Sequence, residues 1–259
     1  MAEEKNELVK VSNEAALALM QDQAGTGFEG TSGRDYAIPL LTLLQKNSPQ
    51  CDPDSGKYLP EAKSGLFFDT GLGICEEVVK VIPCLYRSAM VEWVPRESGG
   101  GFVASHEVGF ELKLQKDDRG RFLTENGNLV VDTRYMCCLK VDGDGDVTPV
   151  IIPFASTQIK KVKSWMSRME GMKLPGKDGK KFKPPMFSFV WTLSSIPEQN
   201  DKGSWRGYKI DLVGPVDNPA VLKRAMETRE MFQSSAMTIT PPEETVEPEP
   251  ASANANKVM

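Results

Sequence analysis

Lysines interleaved with aromatic rings are the residues of this chain best suited to a chemical task. The task they suit is holding a polyanion, because Lys and Arg neutralise phosphates and rings stack on the bases of single strands. Lys177-Asp178-Gly179-Lys180-Lys181-Phe182-Lys183 gathers four lysines about one ring. Glu92-Trp93-Val94-Pro95-Arg96, leading into Ser98-Gly99-Gly100-Gly101, and the pair Trp205-Arg206 repeat the combination. Arg134, Met136, Cys138 and Lys140 fall on one face of a strand, which makes Arg134 and Lys140 exposed candidates. The candidate binding set is therefore Trp93, Arg96, Arg134, Lys140, Lys177, Lys180, Lys181, Phe182, Lys183, Trp205 and Arg206. Trp93 and Phe182 suit stacking and core packing equally. Phe187, Phe189 and Trp191 alternate as core residues of a strand do.

Motifs for bond-making chemistry fail when tested residue by residue. Gly171-Met172-Lys173-Leu174-Pro175-Gly176-Lys177-Asp178 approximates a phosphate loop, but Asp178 replaces the magnesium-binding hydroxyl and Pro175 removes a backbone N–H. Asp142, Asp144 and Asp146 imitate the start of a calcium loop. Its sixth position would be Val147 and its twelfth Pro153, so a hairpin turn is expected instead. Pro53-Asp54 with Glu61-Ala62-Lys63 or Glu111-Leu112-Lys113 could mimic a magnesium nuclease, yet the four D/E-x-K triplets are no more than this composition supplies. The glycines after Ser98 form no nucleophile elbow and are expected to be flexible. His106 is the single histidine, so multi-histidine metal sites are excluded and a structural hydrogen-bonding role is expected. No catalytic residue, metal or other cofactor is expected, and the chain does not read as an enzyme.

Charge is unevenly spread. The 259 residues carry 31 Lys/Arg and 36 Asp/Glu, a net −5. Residues 1–33 sum to −4 and 237–259 to −3, leaving 34–236 at +2. Within that core, 156–185 holds nine bases and two acids. This is either a polyanion-binding surface flanked by acidic competitors or a solvated lysine-rich helix and loop. No stretch is apolar enough to span a membrane, and the acidic start is unlike a secretory leader. Five cysteines without metal spacing, two of them adjacent at Cys137-Cys138, suggest buried thiols in a reducing cytoplasm.

The elements that must position these residues are mostly β, in an α+β arrangement. Ser12 could cap a helix through about Ala24 with Leu17 and Met20 on its apolar side, followed by a glycine-rich linker to Gly33. Strands are expected at Ile38–Leu44, at Glu76–Arg87 continuing after a break at Ser88 as Met90–Val94, and at Glu107–Leu114. Thr133–Val141 and Val147–Phe154 follow, and then Met186–Leu193 and Trp205–Val213. Between them a helix starts near Ser156 with Ile159, Val162, Trp165, Met166 and Met169 as its stripe, and its lysines lie off that stripe. Asn218-Pro219 opens a last helix, and the acidic tail from 237 has little to bury. Long strand, insertion, two strands, helix and two strands is the order of an OB-fold, a five-stranded barrel with its helix between strands three and four. The expected layout is an acidic segment at 1–33, an OB-like nucleic-acid-binding domain at 34–236, and a disordered acidic tail at 237–259.

Ile38-Pro39-Leu40-Leu41-Thr42-Leu43-Leu44-Gln45-Lys46-Asn47-Ser48-Pro49, Tyr86-Arg87, and Val91 to Arg96 with Gly99-Gly100-Gly101 resemble tailed-phage proteins described as single-stranded DNA-binding. The resemblance spans about residues 35–215. It implies an OB-fold protein that coats single strands during phage DNA replication and recombination in the host cytoplasm. It further implies an acidic tail that recruits replication enzymes and competes with DNA for the basic cleft. One departure is that the acids stop at Glu249 and no aromatic residue closes the run. The expectation is a non-enzymatic, sequence-tolerant single-stranded DNA-binding protein. The rivals are an interaction or regulatory factor that binds a polymerase or nuclease, and a magnesium-dependent nuclease.

Overall fold

A computed structural model describes residues 13–30, 37–107, 113–118, 120–201 and 203–234. Contacts divide the chain after Ala37. The first unit contains α1 (Glu14–Asp22), capped by Asn13, whose side chain accepts from the Ala15 and Ala16 N–H groups. The expected cap, Ser12, lies outside the described residues. Leu17 and Met20, the expected apolar side, are exposed.

The second unit is built on one antiparallel sheet. Its long strands are β4 (Val79–Trp93), β8 (Leu129–Val141), β9 (Val147–Ala155), β12 (Phe189–Asn200) and β13 (Gly203–Pro215). Its shorter strands are β5 (Phe102–Glu107), β6 (Gln115–Lys116) and β7 (Phe122–Leu123), while β1 (Leu41–Leu43), β2 (Phe67–Asp69) and β3 (Ile74–Glu76) form a separate small sheet and β10 (Leu174–Pro175) and β11 (Lys181–Phe182) a two-residue pair. Two helices, α2 (Ile159–Gly171) and α3 (Pro219–Ser234), complete it. The long strands lie in the order β9–β8–β4–β12–β13. β4 pairs β8 along one edge, while its other edge takes β12 at Val79–Val81 and β5 at Ala89–Trp93. The expected break at Ser88 is absent, since Ser88 pairs with Arg134, and the irregularity falls at Pro83–Leu85. Proline cannot supply a ladder N–H, so the bulge forms there. The five aspartate and glycine residues after Val141 make the expected hairpin turn, with the Asp142 N–H donating to the Asp146 carbonyl at 2.9 Å.

The sheet curls into a half-barrel filled from both sides. Inside, α2 delivers Val162, Trp165 and Met169 onto Met136, Cys138, Val150, Ile152, Phe154, Trp191 and Tyr208. Trp165 meets Trp191 edge-on at 5.8 Å. Outside, α3 lays Ala225 over Ile82, Cys84 and Leu139, and Phe232 joins Val91, Val131, Tyr135 and Cys137. An Arg87 guanidinium N–H donates to the Phe232 carbonyl at the helix C-terminus. Burial pushes the Cys84 and Cys137 thiols up to about 12, so both stay protonated.

No strand pairing closes β9 onto β13 among the described residues. The Leu40 segment bridges to Ile151, and β1 packs against both strands and leads into β2 and β3. Two glutamines act as surrogate strand edge. Gln45 accepts from the Arg206 N–H at 2.8 Å and donates to the Arg206 carbonyl at 3.0 Å. Gln158 accepts from the Tyr208 N–H at 3.1 Å. The helix start differs from expectation: Ser156 does not cap α2 but opens a 3-10 turn at φ 49°, a left-handed conformation uncommon for serine.

Lys140 fastens the small β1–β2–β3 sheet to the large one. Its ammonium lies 3.2 Å from Asp69 and 2.5 Å from Glu76. Burial alone would lower its pKa, but the hydrogen bonds and charges of Glu76 and Asp69 outweigh that and raise it. Asp69 also accepts from the Gly71 and Leu72 N–H groups. Lys140→Met strands the fully buried Asp69 carboxylate, so a loss of about 3 kcal/mol in urea-denaturation stability is expected, as for other broken buried pairs. Among the described residues, no helix is long and apolar enough to cross a membrane.

Candidate functional site

The residues singled out in the sequence separate into three groups. Trp93 and Lys140 are withdrawn from any ligand, each 1% exposed. Trp93 lies on the outer face in a cluster with Val91, Leu129 and Phe232 of α3, edge-on to Phe102 at 5.8 Å. Lys140 does share its strand face with Met136 and Cys138, but that face is the interior, so the expected exposure is corrected to burial. Arg134, on the same face nearer the open end, is mostly covered and bonds Asp132 at 2.7 Å. The side chain of Arg96 lies outside the described residues, as does the acidic tail.

A second group forms the β12–β13 end. The Trp205 indole is half-buried and its N–H donates to Glu198 Oε2 at 3.0 Å. Glu198 also receives the Lys161 ammonium. Gly207 makes this possible, because a Cβ there would sit 2.2 Å from Glu198 Oε2. Arg206 is half-buried, and its guanidinium lies close over Gly65.

The third group is exposed and contiguous. β10 and β11 pair as a small hairpin, Leu174 opposite Phe182 and Pro175 opposite Lys181. Its turn is closed by the Gly176 N–H on the Lys180 carbonyl at 2.7 Å, and Gly179 takes φ +76° there. Lys177, Lys180 and Lys181 are exposed and have no carboxylate partner among the described residues. Phe182 is 47% exposed. Lys183 pairs with Glu170 and so ties the hairpin back to α2.

The helix itself extends the surface. At about 100° per residue, burial of Val162, Trp165 and Met169 turns Lys160, Lys163, Ser164 and Ser167 outward, and all four are exposed. Arg168 is committed elsewhere, with its guanidinium 4.9 Å from the Trp191 ring and a bond to the Ile210 carbonyl. Lys160 and Lys163 were legible as off-stripe lysines, and a helical wheel would also have placed the two serines beside them. The arrangement offers phosphate-type anions a row of uncompensated ammonium groups, with an accessible ring at one end.

His106 has the structural role expected of it. Its Nε2 lies 2.9 Å from Glu92 Oε2, and Asn128 Nδ2 donates to Glu92 Oε1 at 2.7 Å. Burial alone would raise the Glu92 pKa, but hydrogen bonds from Asn128, His106 and Thr124 hold it below the usual carboxylate range. Its stabilising contribution is therefore complete above the unfolded value of ~4.3 and is lost as pH falls through the lower folded value. Glu92→Gln should flatten that acid limb in pH-dependent denaturation.

Of the four tryptophans, Trp93, Trp165 and Trp191 are at most 1% exposed. Acrylamide should therefore quench Trp205 almost alone, and Trp205→Phe should remove most of the quenchable emission while leaving the fold intact.

No curated protein and no solved structure matches the chain. The family model described as "Pam3 phage gp34-like protein" matches residues 4–238. The resemblance to phage proteins thus holds at the level of a phage family, and the chain belongs to the Pam3 phage gp34-like protein family.

Proposed function

We propose that the protein binds single-stranded DNA with little sequence preference, without catalysing a reaction on it, during phage DNA replication or recombination in the host cytoplasm. The observation that carries this reading is the exposed surface of α2 and the β10–β11 hairpin. There Lys160, Lys163, Lys177, Lys180 and Lys181 stand without carboxylate partners among the described residues, with the accessible Phe182 ring at the hairpin end. Ammonium groups take up phosphates and release counterions, while a ring accepts any base that is not already stacked in a duplex.

Strand order supports an OB-type barrel as the scaffold. β4, β8, β9, β12 and β13 follow the OB sequence of five strands, with α2 between the third and fourth. On this reading β1 and the two glutamines stand in for the missing closure between β9 and β13. The usual OB cleft crosses the second and third strands. Here α3 covers the outer face of β8, which favours the α2 side as the path for DNA. The acidic tail would recruit replication or recombination proteins.

Fluorescence titration with oligo-dT at low and high salt, with duplex DNA as control, tests the reading. Affinity for the single strand should exceed that for the duplex and fall steeply with salt. Lys177→Glu, Lys180→Glu and Lys181→Glu together should weaken binding by about tenfold or more and flatten the log–log salt slope by ~2, since each phosphate contact contributes ~0.7. Phe182→Ala should cost ~1–3 kcal/mol. All four positions are exposed, so thermal stability should not change. A folded protein that ignores oligo-dT, or binds duplex equally well, would reject the proposal.

A further inference from the structure

We propose that two of the protein's own carboxylates, Glu198 and Glu170, occupy phosphate positions at the two ends of the α2 surface, and that a single strand binds by exchanging them for its phosphates. This rests on the single-strand reading above and adds how the site is held before ligand arrives.

Each carboxylate takes a lysine that belongs to the surface. Glu198 receives the Lys161 ammonium and the Trp205 indole N–H together. Glu170 receives Lys183, which follows Phe182 at the end of the hairpin. Each end therefore combines a ring, a lysine and a carboxylate acting as acceptor. A carboxylate and a phosphate accept the same charge-assisted bonds from an ammonium, so one substitutes for the other without rearranging the donors.

The ends lie apart in a way that defines a path. From Lys161 to Glu170 the helix rises roughly 13 Å and turns by about 180°, which puts the two pairs on opposite flanks. Between them lies the outward face with Lys160, Lys163, Ser164 and Ser167. That face carries no acid, so a strand crossing it diagonally meets cations and hydroxyls from Trp205 to Phe182.

Both pairs are partly open to water. Side-chain exposure is 29% and 23% for Lys161 and Glu198, and 55% and 71% for Lys183 and Glu170. Pairs of this kind hold weakly and exchange readily. Glu198 nevertheless has a prepared seat, because the bare backbone of Gly207 leaves room for its carboxyl.

The test is oligo-dT affinity and its salt dependence for Glu198→Gln, Glu170→Gln and the double variant. Glu227→Gln is the charge-matched control. Glu227 pairs with Lys223 and Arg224 on α3, which covers the opposite face of the sheet. Glutamine keeps an acceptor for the Trp205 indole, and a thermal melt checks that each variant folds. Each substitution at the α2 ends should tighten binding by about two- to fivefold, with the gains multiplying in the double variant. The salt slope should steepen by about 0.7 per lysine released. Gains no larger than that of Glu227→Gln, while the wild type binds normally, would overturn the exchange and leave the binding function standing. Absence of binding by both the wild type and the double variant would overturn the function and this inference together.

Discussion

The pairing of β4 with β8 is the constraint from which the rest of the second unit follows. It runs from Lys80 to Trp93, and both of its faces are covered, by α2 and the half-barrel interior on one side and by α3 on the other. A strand pair buried on both faces must be apolar on both, which is why β8 reads Met136-Cys137-Cys138-Leu139 without alternation. Such a pair has no surface to offer a ligand. Charged side chains that fall on it must find partners inside, as Lys140 does with Asp69 and Glu76.

That exclusion sends the available charge to the one element that touches the interior with a single stripe. Helix α2 packs through Val162, Trp165 and Met169 with Met166 beside them, so the outward part of its circumference is free to carry lysines at little cost in stability. The following hairpin continues the cationic surface, because a short two-stranded ribbon at the surface has no core of its own to fill. Acids are few there: Asp178 in the hairpin turn accepts from the Lys180 N–H, and Glu198 and Glu170 at the flanks of the helix engage Lys161 and Lys183. A surface so arranged is cationic without being uniformly so, which suits reversible binding of a polyanion.

Much of the layout was legible in advance. Val147–Phe154, the 159–169 stripe, the aspartate hairpin and the Asn218-Pro219 helix start all follow from local patterns, and the structure places them within a few residues of where those patterns fall. The hairpin lysines were legible too, since a glycine-rich polar loop has no means of burying them, whereas Phe182 stood evenly between stacking and packing until the structure showed it exposed. Trp93, Lys140 and Arg134 were not. Alternation along a strand tells which side chains share a face and is silent about what covers that face. The small sheet that covers Lys140 comes from residues 41–76 and the Phe232 that joins the Trp93 cluster comes from α3, both distant in sequence, so nothing local announces them. Gln45 and Gln158 were equally invisible, because a glutamine completing a strand edge has no pattern of its own.

The sequence by itself determined which segments become strands and helices, where the chain turns, and that positive charge concentrates between residues 156 and 185. These properties depend on neighbours within about ten residues, through side-chain period, glycine and proline geometry, and composition. Tertiary structure alone decided which basic and aromatic residues are accessible. It buried Lys140 and Trp93, half-covered Trp205 against Glu198, and left α2 and its hairpin in water. The physical reason is that exposure is a property of the covering layer, and here that layer is supplied largely by β1–β3 and α3, which lie far in sequence from the residues they hide.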